Sequence, residues 1–182
     1  MEGCLLFIAA RILGILGIIC VVITYQQKER SKLLLCKLIT DCFWLAHYFC
    51  LGAYSGAAIC VISVMRSTVF LQKGKYKWAE SKLWLVFFMI CSILSAILTW
   101  KNGFTLLTTA VSLCSIISFW IGNPALSRKL NIPIGICMAT YAAISGSVEG
   151  TLNDSFSTIS AIIGIYRLDR KKKQEEGVKD GK

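Results

Sequence analysis

Seven apolar stretches, joined by loops that are basic and non-basic in strict alternation, leave this chain very few folds. The stretches run at 5–25, 33–52, 56–71, 83–99, 103–121, 130–147 and 151–166. Lys28, Arg30 and Lys32 follow the first, no charge follows the second, and Lys73, Lys75, Lys77 and Lys82 follow the third. Lys101 alone follows the fourth, Arg128 and Lys129 the fifth, and the acidic Glu149 and Asp154 flank the last gap. A tail then opens with Arg167, Arg170, Lys171, Lys172 and Lys173. Under the positive-inside rule this pattern predicts seven transmembrane helices, with the N-terminus outside and the C-terminus in the cytoplasm.

The composition excludes the alternatives. A chain of 182 residues that is 55% hydrophobic and 16% charged carries more apolar surface than one soluble core of that size can hide. Most of the stretches are long enough to cross a hydrocarbon layer of ~30 Å at about 1.5 Å per residue, while 56–71 and 151–166 are short for it and should recruit flanking small polar residues or sit in a thinned bilayer. Its formal charge of +10 suggests nucleic acid in a soluble protein, but the distribution argues against it. Seventeen basic residues fall on the predicted cytoplasmic side, Lys101 lies outside, and Arg11 and Lys37 lie within helices. The partner expected is therefore the bilayer with its anionic lipid, not nucleic acid. Nine cysteines spread without a CxxC, with one histidine in the chain, predict packing thiols and neither a metal site nor a bound cofactor. There is no serine elbow, HExxH or phosphate-binding glycine loop, so no enzyme chemistry is expected.

The second half resembles the first. His47-x4-Gly52-x3-Gly56 has a counterpart in Tyr141-x4-Gly146-x3-Gly150, displaced by 94 residues. That displacement matches the first helix to 99–119 and the second to 130–147. It matches the third helix to 151–166 after a few extra residues around Thr151–Ser157, with Arg66 and Arg167 closing the two. Three helices, one unpaired helix and three more give parallel repeats, a plan used by some transporters. The expected units are a first three-helix bundle (1–72), a basic cytoplasmic loop and linker helix (73–101), a second bundle (102–168) and a charged cytoplasmic tail (169–182).

Polar residues inside the apolar stretches are the candidate functional groups. Asp41 sits near mid-bilayer with Lys37 one turn away on the same face, and either lines a substrate path or hydrogen-bonds a neighbouring helix. Thr105, Thr108, Ser112 and Ser115 form one hydroxyl stripe at helical spacing. With Asn153, Ser157 and Ser160 on the last helix they either line a cavity or pack as small residues. The expected substrate path is Asp41, Thr108, Ser112, Asn153 and Ser160. Arg11, His47 and Asp154 would shape an outer vestibule. Gln26, Gln27 and Asn123 would form an inner gate, or else satisfy loose helix-terminal groups.

Several of these stretches resemble a known group. Tyr25-Gln-Gln-Lys-Glu-Arg30, Trp44-Leu-Ala-His47-Tyr48, Leu51-Gly-Ala-Tyr-Ser-Gly56 and Arg66-Ser-Thr-Val-Phe70 are similar to bacterial inner-membrane proteins of the YgjV type. So are Trp120-x2-Asn123-Pro124-x3-Arg128 and Gly164-Ile-Tyr-Arg167. That group in turn resembles the SWEET and PQ-loop superfamily. The resemblance implies a multi-pass protein of the bacterial cytoplasmic membrane with a SWEET-like 3+1+3 helix plan. It also implies a carrier of a small polar solute by alternating access, as a monomer or homo-oligomer. A non-transporting receptor or scaffold on the same fold is the alternative. Sugar-carrying relatives hinge on a Pro-Gln pair where this chain has Gln26-Gln27 and Asn123-Pro124.

Overall fold

A computed structural model describes residues 2–98, 100 and 103–169. Lys101 and the basic tail from Arg170 lie outside them. Among the described residues the regular structure is entirely helical. The seven main helices are α1 (Glu2–Tyr25), α2 (Arg30–Cys50), α3 (Tyr54–Gln72), α4 (Lys82–Leu98), α5 (Phe104–Ile121), α6 (Pro124–Ile144) and α7 (Val148–Gly164). A short 3-10 turn, Lys77–Glu80, leads into α4, and a π turn, Ile165–Asp169, follows α7. Each helix packs chiefly on its neighbours in the chain, and α7 closes against α1. The seven therefore form an up-and-down ring in which the basic connections gather at one end.

The burial pattern is the reverse of a soluble protein's. Large apolar side chains face outward, Leu83 at 77% and Leu98 at 85% exposure among them, while Thr24, Asp41, His47, Ser118, Arg128 and Ser160 are buried. In water such an exterior would be an extended aggregation surface. In a bilayer it is the lipid-facing skin, and backbone polarity is satisfied within each helix. Leu6–Tyr25 and Arg30–Cys50 are the longest apolar spans; Ala57–Gln72, Lys82–Leu98 and Thr105–Ile121 are shorter ones. The last two helices are less apolar because α6 and α7 place Ser127, Arg128, Asn131, Ser157 and Ser160 inside.

The two halves repeat in detail. α2 and α6 each have 21 residues, and their first residues, Arg30 and Pro124, are 94 positions apart. Both end in the same turn. Leu51 donates to the His47 carbonyl as Ser145 does to Tyr141, and Gly52 to Phe49 as Gly146 does to Ala143. Ala53 then donates to Tyr48 as Ser147 does to Ala142. This is a glycine-terminated helix cap, which needs a left-handed residue. Gly52 has φ 68° and Gly146 φ 73°.

Two expectations are corrected. Arg128 and Lys129 do not lie in a loop, because α6 starts six residues before the expected 130. Asn123 caps it, its side chain accepting from the Ala125 N–H at 3.0 Å, and Pro124 at the first position needs no N–H partner. Nor does α7 hold extra residues at Thr151–Ser157. It runs unbroken from Val148, 94 positions after the start of α3, so Arg66 corresponds to Ser160 and not to Arg167.

The apolar core lies toward the basic end, where Leu33, Leu34, Phe70, Phe88, Ile116 and Trp120 pack together. The Phe70 ring meets Phe88 and Trp120 edge-on, at centroid distances of 5.7 and 5.3 Å. Around it, basic side chains tie down helix C-termini, whose last carbonyls have no partner of their own. Arg30 donates to the Phe70 and Lys73 carbonyls at 2.8 and 2.9 Å. It also fills the space beside Gly122, where an added Cβ would lie 2.1 Å from Nε. Lys73 donates to the Trp120 carbonyl at 2.9 Å and sits over the Trp120 ring. Burial and the neighbouring Arg30 pull the Lys73 ammonium below its ordinary pKa, with Glu80 opposing.

Candidate functional site

Two seams join the halves of the ring, α1 against α7 and α3 against α5. The first is bonded at both ends, and α6 adds bonds to the end of α1 beside it. Arg11 pairs with Glu149 at the end away from the basic loops. Further in, the Tyr25 hydroxyl donates to Asn131 Oδ1 at 2.6 Å, and Asn131 Nδ2 to Ser157 at 3.3 Å. Ser160 donates to the Val22 carbonyl at 2.6 Å, while Gln26 Nε2 donates to the Ser160 carbonyl and hydroxyl at 2.8 and 3.0 Å. Arg128, 3% exposed, closes the basic end. It pairs with Asp169 at 2.5 Å and donates to the Gln27 carbonyl at 2.8 Å. A charge this deep is tolerable because a counter-ion and carbonyls surround it.

The second seam touches at the basic end through Lys73 and Trp120, then opens. A cavity of about 280 Å³ lies there between α3, α4 and α5, near the lower limit of small-molecule sites (~300 Å³). Phe88 and Ile116 form its floor beside the aromatic core. Its walls carry Ser63 of α3, Ser92 and Ser95 of α4, and Thr105, Thr108, Thr109 and Ser112 of α5. Helical periodicity explains the α5 wall, since positions three and four apart share a face. Ser92 donates to Ser112 at 2.9 Å, and Thr108 and Thr109 return to the Thr105 carbonyl at 3.1 and 2.6 Å. Each of these hydroxyl oxygens keeps acceptor capacity for a guest. Arg66 of α3 is the charged group in the wall. Among the described residues no hydrogen bond or ion pair engages it.

Asp41 lies one helix away, 5% exposed, with its two oxygens divided between Lys37 and the Ser67 hydroxyl, the latter at 2.6 Å. The i,i+4 pair read from the sequence is therefore present, and it sits on the α2–α3 interface outside the cavity wall.

The expected site residues thus fall into separate places. Thr108 and Ser112 share the cavity. Ser160 and Gln26 share the closed seam, and Gln27 bonds back to Ile23 at 3.1 Å. His47 is buried between α1 and α2, its Nδ1 donating to the Ala10 carbonyl at 2.8 Å with Gly14 against the ring. Only an N–H can satisfy a carbonyl, so that bond fixes the proton on Nδ1. Arg11 meets Glu149 and neither His47 nor Asp154. Asp154 accepts from Asn153 Nδ2 at 3.0 Å, and Asn153 Oδ1 is a buried acceptor without a partner. Asn123 is exposed and caps α6.

Sequence reasoning missed Arg66 and Arg128 as interior groups. Both sit near helix ends in the sequence, where a basic residue reads as a topology marker. The signal that could have found Arg128 is the Asn-Pro helix start before it, which puts it on the second turn of α6.

A model of a family described as Imp-YgjV, bacterial inner membrane protein, matches residues 8–172. No curated protein and no solved structure shows a significant match.

Proposed function

Because the chain belongs to the Imp-YgjV family of bacterial inner membrane proteins, we propose that it is a membrane carrier of a small polar solute, non-catalytic, built from two parallel three-helix bundles. α1–α3 form the first bundle, α5–α7 the second, and α4 links them in a SWEET-like 3+1+3 plan. The bond-for-bond repeat at a displacement of 94 residues supports the duplication. One intervening helix then keeps both copies pointing the same way across the membrane. The gathering of basic connections at one end supports a cytoplasmic C-terminus and an external N-terminus.

The observation that carries the transport reading is the hydroxyl-lined cavity between α3, α4 and α5. Its aromatic floor separates it from the basic end, which is the arrangement of an outward-facing site awaiting a switch in access. Flux into proteoliposomes tests this reading. Uptake that saturates with one solute class, and falls at least about tenfold in Ser112→Ala or Thr108→Val, supports it. Uptake indistinguishable from protein-free vesicles across sugars, nucleosides, vitamin precursors, amino acids and carboxylates sinks it.

A second reading has its own observation. Asp41, His47, Arg128 and Ser160 are all satisfied within the protein, as expected of a non-transporting receptor or scaffold. Saturable ligand binding without flux would select it.

A further inference from the structure

Three ionised side chains lie close together inside the first bundle: Lys37, Asp41 and Arg66. Lys37 occupies one oxygen of Asp41, and Ser67 takes the other. The carboxylate is therefore spent on a lysine, and the trio carries a net charge of one positive unit. The surplus resides on Arg66, a residue of the cavity wall that also feels the Asp41 carboxylate through space without a hydrogen bond to it. Unpaired cations inside a membrane protein are costly, and the cost falls when an anion or water completes the site. A guanidinium also presents a planar fork of N–H donors that matches a carboxylate in two parallel bonds.

Resting on the carrier reading above, we infer that the α3–α4–α5 cavity takes a small organic monocarboxylate, its carboxylate on Arg66. One cation and, among the described residues, no second basic group in the wall fit a single negative charge. The volume holds a short carbon skeleton. Ile59, Ile62 and Met138 contact its apolar part, while Ser92, Thr108 and Ser112 offer hydroxyls to a substituent on it. A neutral sugar would leave the guanidinium without a counter-charge, and a dianion would bring one charge too many. The cavity therefore selects by charge first and by hydroxylation second.

Thermal unfolding of the purified full chain tests this, because a ligand bound only by the folded state raises its midpoint. The probes are sodium propionate and sodium lactate, with propionamide and 1,2-propanediol as neutral counterparts and sodium chloride at matched ionic strength. The expected result is a saturable rise with the carboxylates alone, complete by about 10 mM. Arg66→Lys keeps the charge and loses the fork, so its Kd should weaken about tenfold, and Arg66→Gln should abolish the shift. Removing an unpaired charge should leave the unliganded midpoint of R66Q no lower than that of the natural protein, so loss of folding does not cloud the result. No carboxylate shift, an equal shift with chloride, or a shift that survives R66Q overturns the inference. Neutral solutes that bind in both proteins and are lost in Ser112→Ala would overturn the anion while leaving the carrier. Failure of charged and neutral panels alike, with no flux, removes both.

Discussion

The α1–α7 and α3–α5 seams occupy corresponding places in the repeat, yet one is bonded at both ends and the other holds a cavity. On α1–α7, Arg11 pairs with Glu149 at one end, and at the other Ser160 bonds the Val22 carbonyl and Gln26 bonds Ser160. On α3–α5 the contact is confined to Lys73, Arg30 and the aromatic cluster at one end. The matching α2–α3 and α6–α7 turns put helices of similar length at both places. The side chains make one seam a bonded joint and leave a cavity beside the other. In a bilayer this division is governed by packing and hydrogen bonds, since lipid tails are as apolar as the helices they surround.

The largest effect should come from breaking the fixed joint. Arg128→Ala strands Asp169 and the Tyr25 and Gln27 carbonyls, and should cost about 3–5 kcal/mol in unfolding by heat or denaturant. If its cost is under about 1 kcal/mol, the seam is not held there. Gly164→Ala comes next. Its Cβ would sit 2.6 Å from Arg128 Cδ and 2.7 Å from the Tyr25 carbonyl oxygen, so α7 must move off α1. A loss of roughly 1–3 kcal/mol is expected. Ser67→Ala tests the first bundle apart from either seam: Asp41 loses one of two partners, at about 1–2 kcal/mol. The smallest effect on stability belongs to the open seam. Ser112→Ala, in the wall of its cavity, removes one hydroxyl bond to Ser92 of α4 and should cost about 0.6 kcal/mol. If Ser112→Ala is as damaging as Gly164→Ala, the contrast between the seams fails.

Much of the fold was legible because each helix announces itself by apolar length, and each turn by Gly52 or Gly146. The Lys37–Asp41 pair and the α5 hydroxyl stripe were legible too, since helical spacing alone brings those residues onto one face. Partners on other helices were not. Ser67 for Asp41, Ala10 for His47 and Asp169 for Arg128 depend on how the ring closes, which periodicity does not encode. The start of α6 was missed through reading Arg128 and Lys129 as loop residues when Asn123-Pro124 already marked the helix. Ser160 was grouped with Thr108 and Ser112 on polarity, but it bonds α1 across the other seam, and Asn153 turns to Asp154 on its own helix.

The anchoring of α3 to α5 at one end also has a mechanical meaning. Arg30 grips the last carbonyls of α3 and lies against Gly122 just beyond α5, so any tilt between these helices would turn about the end it holds. The 18 residues of α5 make a lever of about 27 Å above that pivot. A tilt of only about 5° at Arg30 would therefore swing the far end of the seam by roughly 2 Å. That displacement is comparable to the radius of a methyl group.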